Sequence, residues 1–121
     1  MFNALRLASI AACGMSIHTA HAQTAYPSRP VRLVVPFAAG GTNDILGRLV
    51  AEKFSEKLGQ PFVADNRAGA NTVVGSEIVA RAAPDGHTLL VASQTLCAII
   101  PNLRAKIPYD PVRDFDPVTI L

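Results

Sequence analysis

The order strand, helix, strand, helix, strand predicts an α/β fold, a parallel sheet with flanking helices. Three observations carry that prediction. The runs Val31-Arg32-Leu33-Val34-Val35 and Leu89-Leu90-Val91 are almost continuously apolar, which suits strands covered on both faces. Between them lies the clearest amphipathic helix of the sequence, from Thr42 to Leu58. Glycines follow the first two strands, at Gly40-Gly41 and Gly69, where the chain must turn sharply into a helix.

Each element has its own signal. Residues 23–30 are an extended leader, held by the prolines of Tyr26-Pro27-Ser28-Arg29-Pro30. The first strand then runs into Gly40-Gly41. Thr42 or Asn43 can cap the following helix, and Asp44 suits the positive end of its dipole. Leu46, Leu49, Val50, Phe54 and Leu58 are expected to form the inward stripe, with Gly59 as a left-handed stop. Phe62-Val63-Ala64-Asp65 is a short second strand, followed by a loop over 66–71. A second helix is expected over 72–82, with Val74, Ile78 and Ala82 inward. Gly75 inside it is worse than alanine by about 1 kcal/mol, so it marks close packing on the sheet. Pro84-Asp85-Gly86 is a turn, and 87–93 the third strand, with His87 at its solvent edge. A short helix from Leu96 ends near Pro101-Asn102-Leu103. Pro108, Pro111 and Pro117 keep 106–117 irregular, and Val118-Thr119-Ile120-Leu121 reads as a strand just starting.

In such a sheet all three post-strand loops leave at one edge, where ligands of open α/β sheets bind. Residues 38–43, 66–71 and 93–96 should line that rim. Backbone N–H groups of Gly41, Thr42 and Asn43 at the helix start can cradle an anion without any arginine. The same glycines suit an ordinary βα turn equally well. Arg67 could clamp a carboxylate, or pair with a neighbouring aspartate.

Composition bounds the rest. With 121 residues, a formal charge of +2, half the residues hydrophobic and 17% charged, one globular domain at most is expected. No face concentrates Lys and Arg, so nucleic acid is not an expected partner. Residues 1–22 read as a secretory signal peptide, with Arg6, an apolar stretch and cleavage after Ala20-His21-Ala22. The apolar stretch is too short for a stable membrane span. A lipobox at Ile10-Ala11-Ala12-Cys13 competes with that cleavage site. Of the two cysteines, only Cys97 lies beyond the signal peptide, and its apolar neighbours make it a buried small hydrophobe.

The chemistry of most enzymes is missing. Gly40-Gly41 has neither dinucleotide-fingerprint nor P-loop spacing, and no G-x-S-x-G elbow exists. Ser93 has no His partner, since His87 lies at the opposite end of the same strand. Asp44, Asp65 and Asp85 show no acid/base spacing. No metal or cofactor is expected. A binder is favoured, with an exported α/β enzyme using the same rim as the alternative.

Several blocks resemble a known family. Tyr26 to Phe37 with Gly40-Gly41-Thr42-x-Asp44 resembles the opening of tripartite tricarboxylate transporter substrate-binding proteins, the Bug-type periplasmic receptors. Leu58-Gly59-Gln60-Pro61, Asn66-Arg67-x-Gly69-Ala70, Ala83-Pro84-Asp85-Gly86-x-Thr88-Leu89-Leu90 and Pro108-Tyr109-Asp110-Pro111-Val112-Arg113-Asp114-Phe115 are similar to its later blocks. Ala38-Ala39, Asn71-Thr72-Val73, Cys97 and Ile100 depart from its pattern. The resemblance implies a two-lobed periplasmic-binding-protein-like receptor that captures a small carboxylate and delivers it to membrane permease subunits. It implies that 31–121 is the N-terminal portion of the first lobe, that the second lobe is absent, and that binding by this fragment alone is weak or nil. The ligand-binding residues it implies are Gly40, Gly41, Thr42, Asn43, Asn66, Gly69, Ala70, Ser93, Gln94 and Thr95.

Overall fold

Val31–Val35 forms β1, the centre of a three-stranded sheet in the order β2-β1-β3. The structure, a computed structural model, describes residues 25–120. The signal peptide, Cys13, the cleavage site after Ala22 and Leu121 lie outside the described residues. β2, Phe62–Asn66, runs parallel to β1, with Val31 opposite Phe62 and Val35 opposite Asn66. β3, Thr88–Leu90, is parallel to the other side of β1, with Arg32 opposite Thr88. The expected parallel sheet with flanking helices is therefore present. Its order reverses at β1, so the β1 C-terminal end is the switch point of the sheet.

Helix α1 spans Thr42–Leu58, as the sequence predicts, and Gly59 closes it at φ 69° with its N–H on the Ser55 carbonyl. The buried face is not the predicted one. Leu46, Leu49 and Leu58 are exposed, and Asp44, Gly47 and Ala51 meet the sheet instead. A Cβ on Gly47 would stand 3.0 Å from Val35 Cγ2 and 3.3 Å from Val91 Cγ2, so the helix lies too near the sheet for large side chains. Small residues take the contact, and Phe54 packs from the flank. The core here joins Val31, Leu33, Val35, Ala51, Phe62 and Val91.

Helix α2, Val73–Ala80, is shorter than expected and rotated by one residue: Val73, Gly75 and Ser76 are buried while Val74 is exposed. Gly75 does mark close packing. A π-helical turn, Thr95–Ile99, follows β3 and leads into α3, Ile100–Leu103. Leu96 and Ile100 turn inward onto Val73 and Tyr109 to form a second core. Cys97 points outward and is exposed, contrary to its apolar context.

The leader docks on the turn before β3. Tyr26 donates its hydroxyl to the Gly86 carbonyl at 2.7 Å, and Arg29 pairs with Asp85 at 2.7 Å. The Tyr26 ring meets His87 edge-on at 5.3 Å, and His87 is buried rather than at a solvent edge. Residues 118–120 form no strand; Val118 and Ile120 are exposed, and no strand among the described residues pairs with them.

Candidate functional site

The three post-strand loops converge on an open cleft of about 300 Å³ at the switch-point edge. Pro36, Phe37 and Ala38 come from the β1–α1 loop. Ala68, Gly69, Asn71 and Thr72 come from the β2–α2 loop, and Thr95 from the π-helical turn. None of these eight side chains is charged.

Thr72 is the unusual member. It is 4% exposed, yet its Oγ1 has no hydrogen-bond partner. A buried hydroxyl left alone costs about 1–3 kcal/mol. The loop carrying it is strained: Ala70, Asn71 and Thr72 all have positive φ, at 47°, 55° and 75°. A β-branched residue in that region persists only when its surroundings hold it. Here the Ser76 hydroxyl and Ser76 N–H both donate to the Thr72 carbonyl, at 2.8 and 3.1 Å. Gly75 lets α2 approach Pro36 and Arg67 closely enough to keep the loop seated. The strain thus fixes Thr72 in the cleft wall, at the start of α2, with its hydroxyl oxygen closed to solvent. Ser93 Oγ, after β3, is a second buried hydroxyl without a partner.

The β1–α1 loop is built differently from expectation. Gly41 is the N-cap of α1, and neither Thr42 nor Asn43 makes a side-chain cap. Asp44, only 3% exposed, reaches back from the first turn of the helix to the loop before it. Its carboxylate accepts from the Gly40 N–H at 2.8 Å, Asn66 Nδ2 at 2.9 Å and Arg48 Nε at 3.0 Å. The Gly40 N–H, then Asn66, then Arg48 hold its pKa down, from 3.8 to about 2. A depressed carboxylate contributes stability that is complete above the ordinary value and lost as pH falls through the folded one. The stability gap between the wild-type chain and Asp44→Asn should therefore be constant near neutrality and shrink between pH 3.8 and about 2. Urea midpoints measured across that window check it, and a gap independent of pH would sink the assignment.

Several predicted residues sit elsewhere than the cleft lining. Gly69 and Thr95 line it. Gly40, Gly41, Thr42, Ala70 and Gln94 are exposed around the rim, while Asn43 and Ser93 are partly buried. Asn66 is engaged by the protein: Nδ2 donates to the Phe37 carbonyl at 3.2 Å as well as to Asp44, and Oδ1 accepts from Arg48 at 2.8 Å. Arg67 donates to Asp65 at 3.1 Å, so it takes the ion-pair role. Burial would raise the Asp65 pKa, but bonds from Arg32 and Arg67 outweigh it and the net shift is downward. Sequence reasoning missed Pro36, Phe37 and Thr72; the only signal for Thr72 was its position just past the predicted loop.

Comparison with known proteins agrees with this architecture. The model of the tripartite tricarboxylate transporter family receptor matches residues 46–121. A solved periplasmic transporter is 49% identical with a TM-score of 0.76, covering 78% of this chain and 32% of that one. MatC from Rhodopseudomonas palustris, solved with bound malate, is 39% identical with a TM-score of 0.66, over 77% and 32%. A second protein of that organism, solved with adipate, is 41% identical with a TM-score of 0.66, over 71% and 29%. The chain spans about a third of the length of the curated relatives it matches. By its sequence blocks, its sheet and its family-model match, the chain belongs to the tripartite tricarboxylate transporter receptor family.

Proposed function

We propose that residues 31–121 are the leading part of the first lobe of a periplasmic receptor, and that the cleft is one wall of its solute site. The solute is a small carboxylate, passed on to the permease subunits of the transporter. One observation carries the reading: the three post-strand loops meet at the switch-point edge in an open cleft whose lining has no charged residue and whose β2–α2 side is held by a strained left-handed loop. Such a wall meets a carboxylate through hydroxyls, N–H groups and bridging water rather than an ion pair. The malate and adipate of the solved relatives are of this class. Capture and release need no covalent step, so the role is that of a receptor rather than an enzyme.

For residues 31–121 by themselves, affinity is expected to be weak, in the millimolar range or about −4 kcal/mol. NMR titration of the chain with malate should shift the amides of Ala68 to Thr72 and of Thr95. Thr95→Val exchanges the hydroxyl of a partly buried, cleft-lining residue for a methyl group, so it should weaken that response while leaving the denaturation midpoint nearly unchanged. Shifts confined to other surfaces, or none at saturating malate, would overturn the proposal.

A further inference from the structure

We infer that Asp44, Asn66 and Arg48 form a positioning clamp that sets the β1–α1 wall of the cleft against the β2–α2 wall, without touching the solute. The inference rests on the cleft being the solute site, but its geometry stands by itself.

The clamp begins in the loop just before α1. A helix start is ordinarily satisfied by the residue at its N-cap. Here Asp44 reaches back from the first turn and takes the Gly40 N–H at 2.8 Å. That bond folds the loop beyond Ala38, a cleft residue, over the end of α1. It also leaves the side chains of Thr42 and Asn43 free of capping bonds, together with the first N–H groups of the helix.

The second half crosses to the other wall. Asn66 is the last residue of β2, directly before the loop that carries Ala68 to Thr72. Its amide donates to both Asp44 and the Phe37 carbonyl, at 2.9 and 3.2 Å, and Phe37 lines the cleft. One side chain therefore ties the backbone of the first wall to the root of the second. Arg48, one turn along α1, closes the circuit with Nε on Asp44 at 3.0 Å and Nη2 on Asn66 Oδ1 at 2.8 Å. Both amide hydrogens of Asn66 are taken, and Asp44 is sealed from solvent. Arg48 also balances the Asp44 charge, so the clamp sets no net negative charge behind a site meant for an anion.

Amide hydrogen exchange on the full chain tests the clamp. Asp44→Asn and Asn66→Asp should each raise exchange at Gly40 and across 67–72 by about tenfold, leaving β1 and β3 amides unchanged. The exchanged pair, Asp44→Asn with Asn66→Asp, again sets a carboxylate against an amide beside Arg48. An aspartate at 66 cannot donate to the Phe37 carbonyl, so protection should return at Gly40 and only in part across 67–72, a split that a merely structural role for either residue would not produce. An exchanged pair no better than its worse single variant would overturn the clamp, as would effects confined to Gly40. Should a single variant fail to fold, Arg48→Gln at a half-exposed position provides the same pattern at about threefold. No change there, or a uniform rise over the whole chain, overturns the clamp equally. A wild-type chain that ignores malate removes the proposed function yet leaves the exchange result standing, so the two failures are distinguishable.

Discussion

Gly75→Ala lowers the stability of the chain by about 2 kcal/mol, although it places the best helix former at an interior helix position. Propensity alone would favour alanine by about 1 kcal/mol, so the contact must cost about 3. The geometry supplies it. The added Cβ would lie 2.7 Å from Pro36 Cβ, 2.9 Å from the Arg67 carbonyl oxygen and 3.0 Å from Pro36 Cα. None of these is the free end of a flexible side chain: Pro36 is fully buried at the end of β1, and Arg67 N–H is bonded to the Val35 carbonyl at 2.8 Å. Relief requires α2 to move off the sheet, and Thr72 moves with it through its bonds from Ser76. Urea denaturation measures the loss, and the malate response at Thr72 should weaken in the same variant. A variant as stable as the wild type would show that α2 has slack the distances deny.

That glycine also shows what was legible beforehand and what was not. Its presence inside a helical pattern signalled close packing, and the strand–helix alternation signalled a parallel sheet with its loops on one edge. The ends of α1 were legible because Gly40-Gly41 and Gly59 punctuate them with chemistry local to the chain. Its buried face was not. Hydrophobic periodicity selects Leu46, Leu49 and Leu58, but the helix sits so near the sheet that only Gly47, Ala51 and Asp44 fit beneath it. Interaxial distance is a tertiary quantity with no local sequence signature.

The site divides in the same way. Topology brought Gly69 and Thr95 to one edge. The left-handed run at 70–72 was invisible, since no alanine or threonine adopts it by preference. Asn66 was implied as a solute ligand by the resembling block Asn66-Arg67-x-Gly69-Ala70 and by its place in the rim loop. A buried carboxylate from the preceding helix claimed its amide instead, and neither residue type announces such a pairing in advance.

Leu96→Ala is expected to have a larger effect still, a loss of about 3 kcal/mol. Leu96 is 1% exposed and packs with Val73, Ile100 and Tyr109, so its truncation leaves a cavity in the second core. Small domains hold about 5–15 kcal/mol in total, which makes this a large fraction of the margin. The substitution also separates local from global consequences. The Leu96 backbone is held independently of its side chain: its N–H reaches the Ser93 carbonyl at 3.1 Å, and its carbonyl accepts the Tyr109 hydroxyl at 3.0 Å. The π-helical turn should therefore persist while the packing beneath Thr95 loosens. Cys97→Ser, one residue on and exposed, is the control and should stay within about 0.5 kcal/mol of wild type. Denaturation midpoints of the two variants measure the contrast. Equal midpoints would mean that the second core is not what holds the third wall of the cleft in place. A large loss with the malate-induced shifts at Ala68 to Thr72 retained and those at Thr95 gone would assign Leu96 to the seating of that wall.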